Sequence, residues 1–496
     1  MKKTLLLIAA CLAALTLAVS CDKVEKNGEE QKEEEKQEQE TKELTALELA
    51  ERNMTRACTM LAASHNHYIS GKACYFYYYV DQDQPSTNKY VSIWEYTSAI
   101  EATAAVMNGL NALKAAGKSD LYNKYFEQFH SVLNDLYEGM DWYEGTLSLI
   151  SYCQTRNWTV YGVNRANGPG AAEVDGVMNV YDDQEWIVRE MLNSYKATGE
   201  QKYFDRAEYL AEYLIDGWDC TLKSDGTEHG GIPWGPGYIT KHSCSNGPFV
   251  APLVWLSNYY KGKGETATYR YIGADKKRLT KEMDKSEYYL MYARKVYDFH
   301  NTKLYDKSNG VYYDMLGAKA GKTTDDNPKG INYEVVDGVT YRANNNEQSP
   351  SGTRYSYNTG TMLSGAADLY GATKEEQYMT DMTNLSNTSF AYFAKPIKNN
   401  ETFEGYYDYV ITGNNVWFND VLLRGWADVA NYTNVVAPNL ESFQKALDYA
   451  YEHHLKNGTI PNSRLYGWGD NYTKPALANF ADVAEFAYLA MYNLAK

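Results

Sequence analysis

Apolar residues recur with the period of an amphipathic helix in about twelve segments, and this pattern constrains the fold more than any other feature. The spacing predicts helices near 44–68, 89–114, 119–139, 183–197, 202–217, 249–261, 285–302, 357–370, 374–394, 416–432, 438–456 and 478–495. Short glycine-containing joints, such as Thr198-Gly199-Glu200, predict that consecutive helices form antiparallel hairpins. The hairpins have no fixed period, which argues against a regular solenoid. Strand signals are sparse, so a β-sandwich or a TIM barrel is not expected. Six hairpins of this kind predict an all-α (α/α)6 toroid with an inner and an outer ring.

Three long stretches between the predicted helices lack helical periodicity. They are residues 148–182, 219–248 and 306–356, and each is rich in Gly, Asn and Asp with aromatic residues interspersed. Loops of this length are uncommon in compact domains unless they serve a function. We therefore expect them to be irregular and to line a cleft on one face of the toroid.

The N-terminus resembles a bacterial lipoprotein signal. Lys2 and Lys3 precede an apolar run that is too short to span a bilayer, and small residues lead up to Cys21. This pattern predicts that residues 1–20 are removed and that the Cys21 thiol is lipidated. An ordinary secretory signal that happens to contain a cysteine is the alternative.

The segment after Cys21 predicts a tether. Residues 22–43 are mainly Glu, Lys and Gln, with no aromatic residue, and cannot bury enough apolar surface to fold. Residues 44–496 are expected to form a single domain, held by its lipid at a bacterial membrane, on the periplasmic or cell-surface face of an outer membrane.

Several partner and cofactor classes are not expected. A net charge of −16 argues against nucleic acid as a partner, because binding to phosphates needs a basic face. The chain shows no phosphate-binding loop, no nucleotide fingerprint and no zinc ligand set, so neither a cofactor nor a metal is predicted. Five cysteines lie beyond Cys21; Cys220 and Cys244 could pair, but buried thiols are expected. We expect a monomer.

Two adjacent carboxylates, Asp182 and Asp183, stand at the entry to the fourth predicted helix. Neighbouring side chains can bring two carboxyl groups to the roughly 5–5.5 Å separation that a retaining glycosidase uses. Two like charges at that distance cannot both ionise easily, so the pKa of one group rises and an acid forms beside a nucleophile. The alternative reading is that acidic residues are favoured in the first turn of any helix.

The order and spacing of several blocks around this pair follow a recognisable pattern. The blocks are Tyr181-Asp182-Asp183-Gln184-Glu185-Trp186, Ala197-Thr198-Gly199-Glu200 with Tyr203 and Ala207, Gly217-Trp218-Asp219, Gly230-Gly231-Ile232-Pro233-Trp234, Lys241 with Asn246, Tyr357-Asn358-Thr359-Gly360-Thr361-Met362, and Phe418-Asn419-Asp420-Val421-Leu422-Leu423-Arg424-Gly425-Trp426. Together they resemble glycoside hydrolase family 76, the endo-α-1,6-mannanases. The resemblance implies the (α/α)6 toroid, a substrate of α-mannan, and a retaining mechanism in which Asp182 is the nucleophile and Asp183 the acid/base.

Six further residues are candidates for binding substrate. Glycines on both sides of Trp234 predict an exposed stacking platform, although a tryptophan that anchors the loop is an alternative. Trp94, Trp417 and Tyr357 are weaker candidates, because an aromatic residue on a helix face is usually part of the core. Asn246 and Asn358 could hydrogen-bond sugar hydroxyls or cap loops.

Two charged residues in these blocks each have two possible roles. Glu185 could orient a catalytic carboxylate, but a solvated helix face is expected. Arg424 could pair with an acidic residue of the site, but a structural ion pair is expected.

Three functions remain open at this stage. The first is a glycoside hydrolase that cleaves α-1,6-mannosidic linkages, and the second is a lipoprotein that binds glycans without cleaving them. The third is a glycosidase or transglycosidase on the same toroid that acts on another sugar. A binding protein has no need of a crowded carboxylate pair, so Asp182 and Asp183 favour an enzyme.

Overall fold

The computed structural model describes residues 44–87, 89–317, 330–344, 349–398, 400–409, 416–470 and 472–496. Contacts divide the chain into two units, Met1–Thr45 and Ala46–Lys496. The predictions for the signal, for Cys21 and for the tether fall outside the described residues.

Twelve α-helices occur in the described part of the chain, and their positions confirm the helical prediction with ends shifted by a few residues. They are α1 (Ala46–Tyr68), α2 (Ile93–Ala115), α3 (Asp120–Gly139), α4 (Tyr181–Thr198), α5 (Gln201–Asp216), α6 (Val250–Tyr260), α7 (Lys285–Lys303), α8 (Ser356–Thr373), α9 (Glu376–Phe393), α10 (Trp417–Val429), α11 (Ala437–His454) and α12 (Ala476–Ala495). Within this described part, none of the helices combines the length and apolarity that a bilayer crossing requires.

The helices form an (α/α)6 toroid. Each even-numbered helix contacts the next even-numbered one, from α2 through α4, α6, α8 and α10 to α12, and α12 closes the ring on α2. The odd-numbered helices pack outside them as the other halves of the hairpins. Because the inner helices touch both the outer ring and one another, they are buried around most of their circumference, and their buried side chains include charged ones. In α12, for example, the buried Asp482 is neutralised by an ion pair with Lys474, at 2.6 Å.

Short antiparallel strands lie in the connections between the helices. They are β1 (Ile69–Ser70), β2 (Ala73–Cys74), β3 (Tyr77–Tyr79), β4 (Gln84–Pro85), β5 (Glu144–Ile150), β6 (Thr155–Tyr161), β7 (Lys241–His242), β8 (Thr266–Ile272), β9 (Arg278–Asp284), β10 (Tyr305–Asp306), β11 (Val311–Tyr312), β12 (Met315–Leu316), β13 (Tyr333–Val336), β14 (Val339–Arg342), β15 (Pro350–Ser351), β16 (Ala394–Pro396), β17 (Tyr407–Tyr409) and β18 (Thr473–Pro475). The described strands make sheets of two or three strands.

The stretches predicted to be irregular therefore contain regular structure. The hairpin β5–β6 reaches into the first stretch, and β13–β14 lies in the third. Their alternating side chains pair across the two strands, which a search for helical periodicity does not detect.

Candidate active site

The N-terminal ends of the inner helices meet at one end of the toroid and surround a cavity. Because the inner helices run in the same direction, α2, α4, α8 and α10 all begin there. The cavity has a volume of about 500 Å³, within the range of small-ligand sites. Its lining is Ser92, Trp94, Val163, Asn164, Val177, Met178, Val180, Asp182, Asp183, Trp186, Trp234, Tyr238, His242, Cys244, Asp314, Met315, Tyr355, Tyr357, Trp417 and Phe418.

All three stretches predicted to line a cleft contribute to this cavity. The first supplies Asn164 and its neighbours, the second supplies residues from Trp234 to Cys244, and the third supplies Asp314 and Tyr355. The inner helices thus form the floor, and the long connections rise around it as walls.

The Asp182–Asp183 pair occupies the first turn of α4. There the backbone N–H groups have no acceptor in a preceding helical turn and the helix dipole is positive, which stabilises a carboxylate. The backbone N–H of Asp183 donates to Oδ1 of Asp182 at 2.9 Å. Asp182 is partly exposed to the cavity, and Asp183 is 7% exposed.

The loop that carries Trp234 is fastened to this helix start. The backbone carbonyl of Trp234 accepts a hydrogen bond from the backbone N–H of Tyr181 at 2.7 Å. The Trp234 indole Nε1 donates to Oδ2 of Asp182 at 3.0 Å. The indole also stacks on the His242 ring, with centroids 4.7 Å apart. Gly231 permits this path because its φ is +83° and a Cβ there would meet the Phe299 ring at 2.3 Å. Trp234 is therefore both a half-buried cavity wall and a hydrogen-bond donor to Asp182.

The two aspartates have different electrostatic surroundings. Burial raises the pKa of Asp182, but hydrogen bonds from Trp234, from the Cys244 thiol and from the backbone oppose that shift. The pKa of Asp183 is raised well above its ordinary value by burial, and further by the charges of Asp182 and Glu95. Among the described residues, none donates a hydrogen bond to the Asp183 carboxyl. Asp182 is thus the group that ionises first, and Asp183 is the group that keeps its proton.

An aromatic cluster forms another part of the cavity wall. Trp94 lies edge-on to Trp417 at a centroid distance of 5.5 Å, and Tyr357 packs on Phe418 at 4.5 Å. All four line the cavity. The structure therefore brings Trp94, Trp417 and Tyr357 together with the aspartate pair.

A buried ion pair supports this wall from below. Arg424 and Glu101 contact each other, as expected of a structural pair. The other Glu101 oxygen accepts a hydrogen bond from the Trp417 indole at 2.8 Å, which fixes the orientation of that ring.

Both asparagine candidates lie behind the cavity and are fully buried. The Asn246 side chain accepts from the backbone N–H of Ile232 at 2.9 Å and donates to the Ile232 carbonyl at 3.0 Å. Asn358 donates to the Tyr313 carbonyl at 3.4 Å. Neither side chain lines the cavity. The geometry therefore supports the role of fixing loop backbone for both residues, and not that of hydrogen-bonding a sugar.

The expectation for Glu185 is wrong. It is fully buried instead of solvated, and burial, followed by the charge of Asp182, raises its pKa well above the ordinary value.

Several lining residues were not anticipated from the sequence. Cys244 and His242 come from the second connection, Asp314 from the third, and Trp186 from α4. Burial lowers the pKa of His242 to about 3, so its ring is neutral. Only Trp186, one helical turn after Asp182, carried a local signal that could have placed it here. In the described part of the chain, no group of three or more His, Cys, Asp or Glu side chains is placed to hold a metal ion.

Solved structures of similar fold come from bacterial enzymes. The family 76 mannosidase Bt3792 of Bacteroides thetaiotaomicron VPI-5482 is 20% identical, with a TM-score of 0.64 over 88% of this chain and 98% of that chain. The GH76A α-1,6-mannanase of Salegentibacter sp. HEL1_6 is 18% identical, with a TM-score of 0.57 over 89% of this chain and 99% of that chain. An inactive variant of the latter, with two adjacent aspartates replaced by asparagine, is known in complex with α-1,6-mannotriose; it is 17% identical, with a TM-score of 0.57 over the same shares.

Sequence comparison gives the family directly. No curated protein matches the chain. The sequence profile of glycosyl hydrolase family 76 matches residues 169–269 and 277–474, which is more than half of the chain and includes the aspartate pair and most of the cavity lining. The chain therefore belongs to glycoside hydrolase family 76.

Proposed function

We propose that this glycoside hydrolase cleaves α-1,6-mannosidic linkages in mannan with retention of configuration. The observation that carries the proposal is the contrast between the two aspartates at the start of α4. Asp182 accepts hydrogen bonds that favour its ionised form, whereas Asp183 has no such donors among the described residues and faces the charge of Asp182. Related structures support the substrate class, because one is of an α-1,6-mannanase and another holds α-1,6-mannotriose.

The proposed reaction has two displacements. The ionised Asp182 attacks the anomeric carbon while Asp183 donates its proton to the leaving glycosidic oxygen, which yields a mannosyl ester on Asp182. Asp183, now ionised, takes a proton from water, and the water oxygen attacks the same carbon and releases Asp182. The two inversions sum to retention.

The test of this function compares two polymers that share a linkage. The purified protein is incubated with linear α-1,6-mannan and, as a matched control, with linear α-1,6-glucan, which differs at the sugar C2 hydroxyl. We expect new reducing ends from mannan and not from the glucan. Cleavage of the glucan instead would indicate a different sugar specificity, and binding of mannan without cleavage would indicate a carbohydrate-binding protein.

Removal of the indole donor should shift the pH dependence of the reaction. In Trp234→Phe the hydrogen bond to Asp182 is lost, so the ionised form of Asp182 is less favoured and its pKa rises. Since Asp182 must be ionised to attack, the acidic limb of kcat/KM should move to higher pH by about one unit.

The control for that shift is Tyr238→Leu, which alters the packing of the loop and leaves the indole donor in place. Tyr238 packs on the Trp234 ring at 4.6 Å and belongs to the same loop. If loop packing alone mattered, both variants would change KM and neither would shift the limb. An acidic limb that stays in place in Trp234→Phe would show that this hydrogen bond does not tune Asp182.

The aromatic wall should contribute to glycan binding. Trp94→Ala is expected to weaken oligosaccharide binding by about 1–3 kcal/mol, because a flat indole face packs against the CH face of a sugar. Calorimetric titration of α-1,6-mannotetraose into an Asp182→Asn background would measure the loss. Trp255, half-buried on α6 and hydrogen-bonded to Asp368 far along α8, supplies the matched control. Equal affinities in both tryptophan variants would exclude Trp94 from the binding surface.

A further inference from the structure

Two cysteines outside the active site lie against each other. The sulfur atoms of Cys153 and Cys220 are 3.0 Å apart, although the residues are separated by 67 positions in the chain. Non-bonded carbon atoms, which are smaller than sulfur, rest at about 3.5–4.0 Å. A disulfide sulfur pair lies at about 2.05 Å, so a movement of about 1 Å would bring these two into bonding distance.

The backbone around Cys153 is held in place without the sulfur contact. Cys153 lies in the turn between β5 and β6, and this turn is hydrogen-bonded to Asp216, the last residue of α5. Oδ1 of Asp216 accepts from the Ser151 hydroxyl at 2.7 Å and from the Gln154 amide at 3.0 Å. Oδ2 accepts from the Trp158 indole at 3.2 Å.

Cys220 is fixed on the other side of the contact. Its neighbour Asp219 forms a buried ion pair with Lys241 at 2.8 Å and accepts a hydrogen bond from Asn344, also at 2.8 Å. The backbone N–H of Cys220 donates to the Trp218 carbonyl at 2.9 Å. The backbone that carries each sulfur atom is therefore anchored, and it holds the two side chains against each other.

We propose that Cys153 and Cys220 form a disulfide that cross-links the β5–β6 turn to the segment after α5. Cys153 is partly exposed and Cys220 is buried, and both line a small cavity of about 30 Å³. The Cys153 thiolate attacks a small-molecule or protein disulfide and forms a mixed disulfide, releasing one thiol. The Cys220 thiolate then attacks the Cys153 sulfur and expels the second thiol, so that the oxidant gains the two electrons that the pair loses.

The cross-link would brace one wall of the active-site cavity. Lys241, held by Asp219 beside Cys220, begins β7, and the next residue, His242, stacks on Trp234. A covalent bond at Cys220 therefore restrains the base of the loop that contacts Asp182. It closes a long loop, for which the loss of unfolded-state entropy is large. The inference does not depend on which sugar the enzyme cleaves.

Mass spectrometry of the full-length protein tests this pairing. After incubation with oxidised glutathione, unfolding and alkylation of free thiols, a non-reducing digest should contain one linked peptide pair, with Cys153 and Cys220. Cys58, Cys74 and Cys244 should all carry the alkyl group. Alkylation of both Cys153 and Cys220, or a link from Cys220 to any other cysteine, would overturn the proposal.

The change in Tm on adding reductant gives a second readout. Because each protein is compared with itself, packing changes caused by the substitutions cancel. Reductant should lower the Tm of the oxidised wild type by about 3–8 °C. The double variant Cys153→Ser/Cys220→Ser should unfold at the same temperature with and without reductant. An equal response of both proteins to reductant would assign the effect to another cysteine and contradict the cross-link.

Discussion

Replacement of Asp182 by asparagine is expected to lower turnover on linear α-1,6-mannan by about 10⁴-fold or more, because it removes the group that forms the covalent intermediate. The fold should survive. Asp182 is a carboxylate in a site that already raises its pKa, so its neutral isostere should leave Tm unchanged or increase it. Steady-state kinetics together with thermal unfolding would separate these two effects. Retention of more than roughly a tenth of the activity would remove Asp182 from the role of nucleophile.

Azide provides a sharper test of the same role. In Asp182→Ala, azide can enter the space left by the carboxylate. There it can displace the activated aryl leaving group of an aryl α-1,6-mannobioside in one step. A single displacement inverts the anomeric carbon, so the product should be the β-glycosyl azide.

Replacement of Asp183 should produce the second largest loss. Asp183→Ala removes the proton donor and the base, which together contribute about 10²–10⁴-fold. The loss should be smaller for an aryl glycoside whose leaving group needs no proton. Azide should restore turnover by attacking the ester on Asp182, and the product should then be the α-glycosyl azide. If Asp182→Ala gave the α-glycosyl azide and Asp183→Ala gave the β-glycosyl azide, Asp183 would be the nucleophile and Asp182 the acid/base.

The toroid could be predicted from the sequence because its cause is local. The helical periodicity and the glycine joints are each carried by residues that are close together in the chain. Together they predict twelve helices and their pairing. The aspartate pair was identifiable for the same reason, since both of its members stand in one turn of α4.

The remainder of the cavity could not be predicted because its residues come from separate connections. Cys244 and Asp314 carry no local pattern, and only the folded chain brings them to the start of α4. The role of Asn246 was ambiguous in the sequence, because an asparagine that hydrogen-bonds loop backbone cannot be told from one that hydrogen-bonds a sugar. The burial of Glu185 could not be predicted either, because it arises from the packing of other helices on all sides of α4.

The arrangement of the inner helices explains why the site lies where it does. Parallel inner helices place several positive helix ends around one cavity, and Asp182 stands at one of them. The same ends carry Trp94 on α2 and Trp417 on α10, so charge stabilisation and aromatic surface converge at one end of the ring.

Stereochemistry is the most direct test of the mechanism that the two aspartates imply. Proton NMR would follow the anomeric signals during the first minutes of hydrolysis of linear α-1,6-mannan by the wild-type protein, before mutarotation mixes the anomers. Two displacements through Asp182 predict that the α-anomer appears first. Initial release of the β-anomer would contradict the account, because it would require a single attack by water and a second carboxylate away from Asp182.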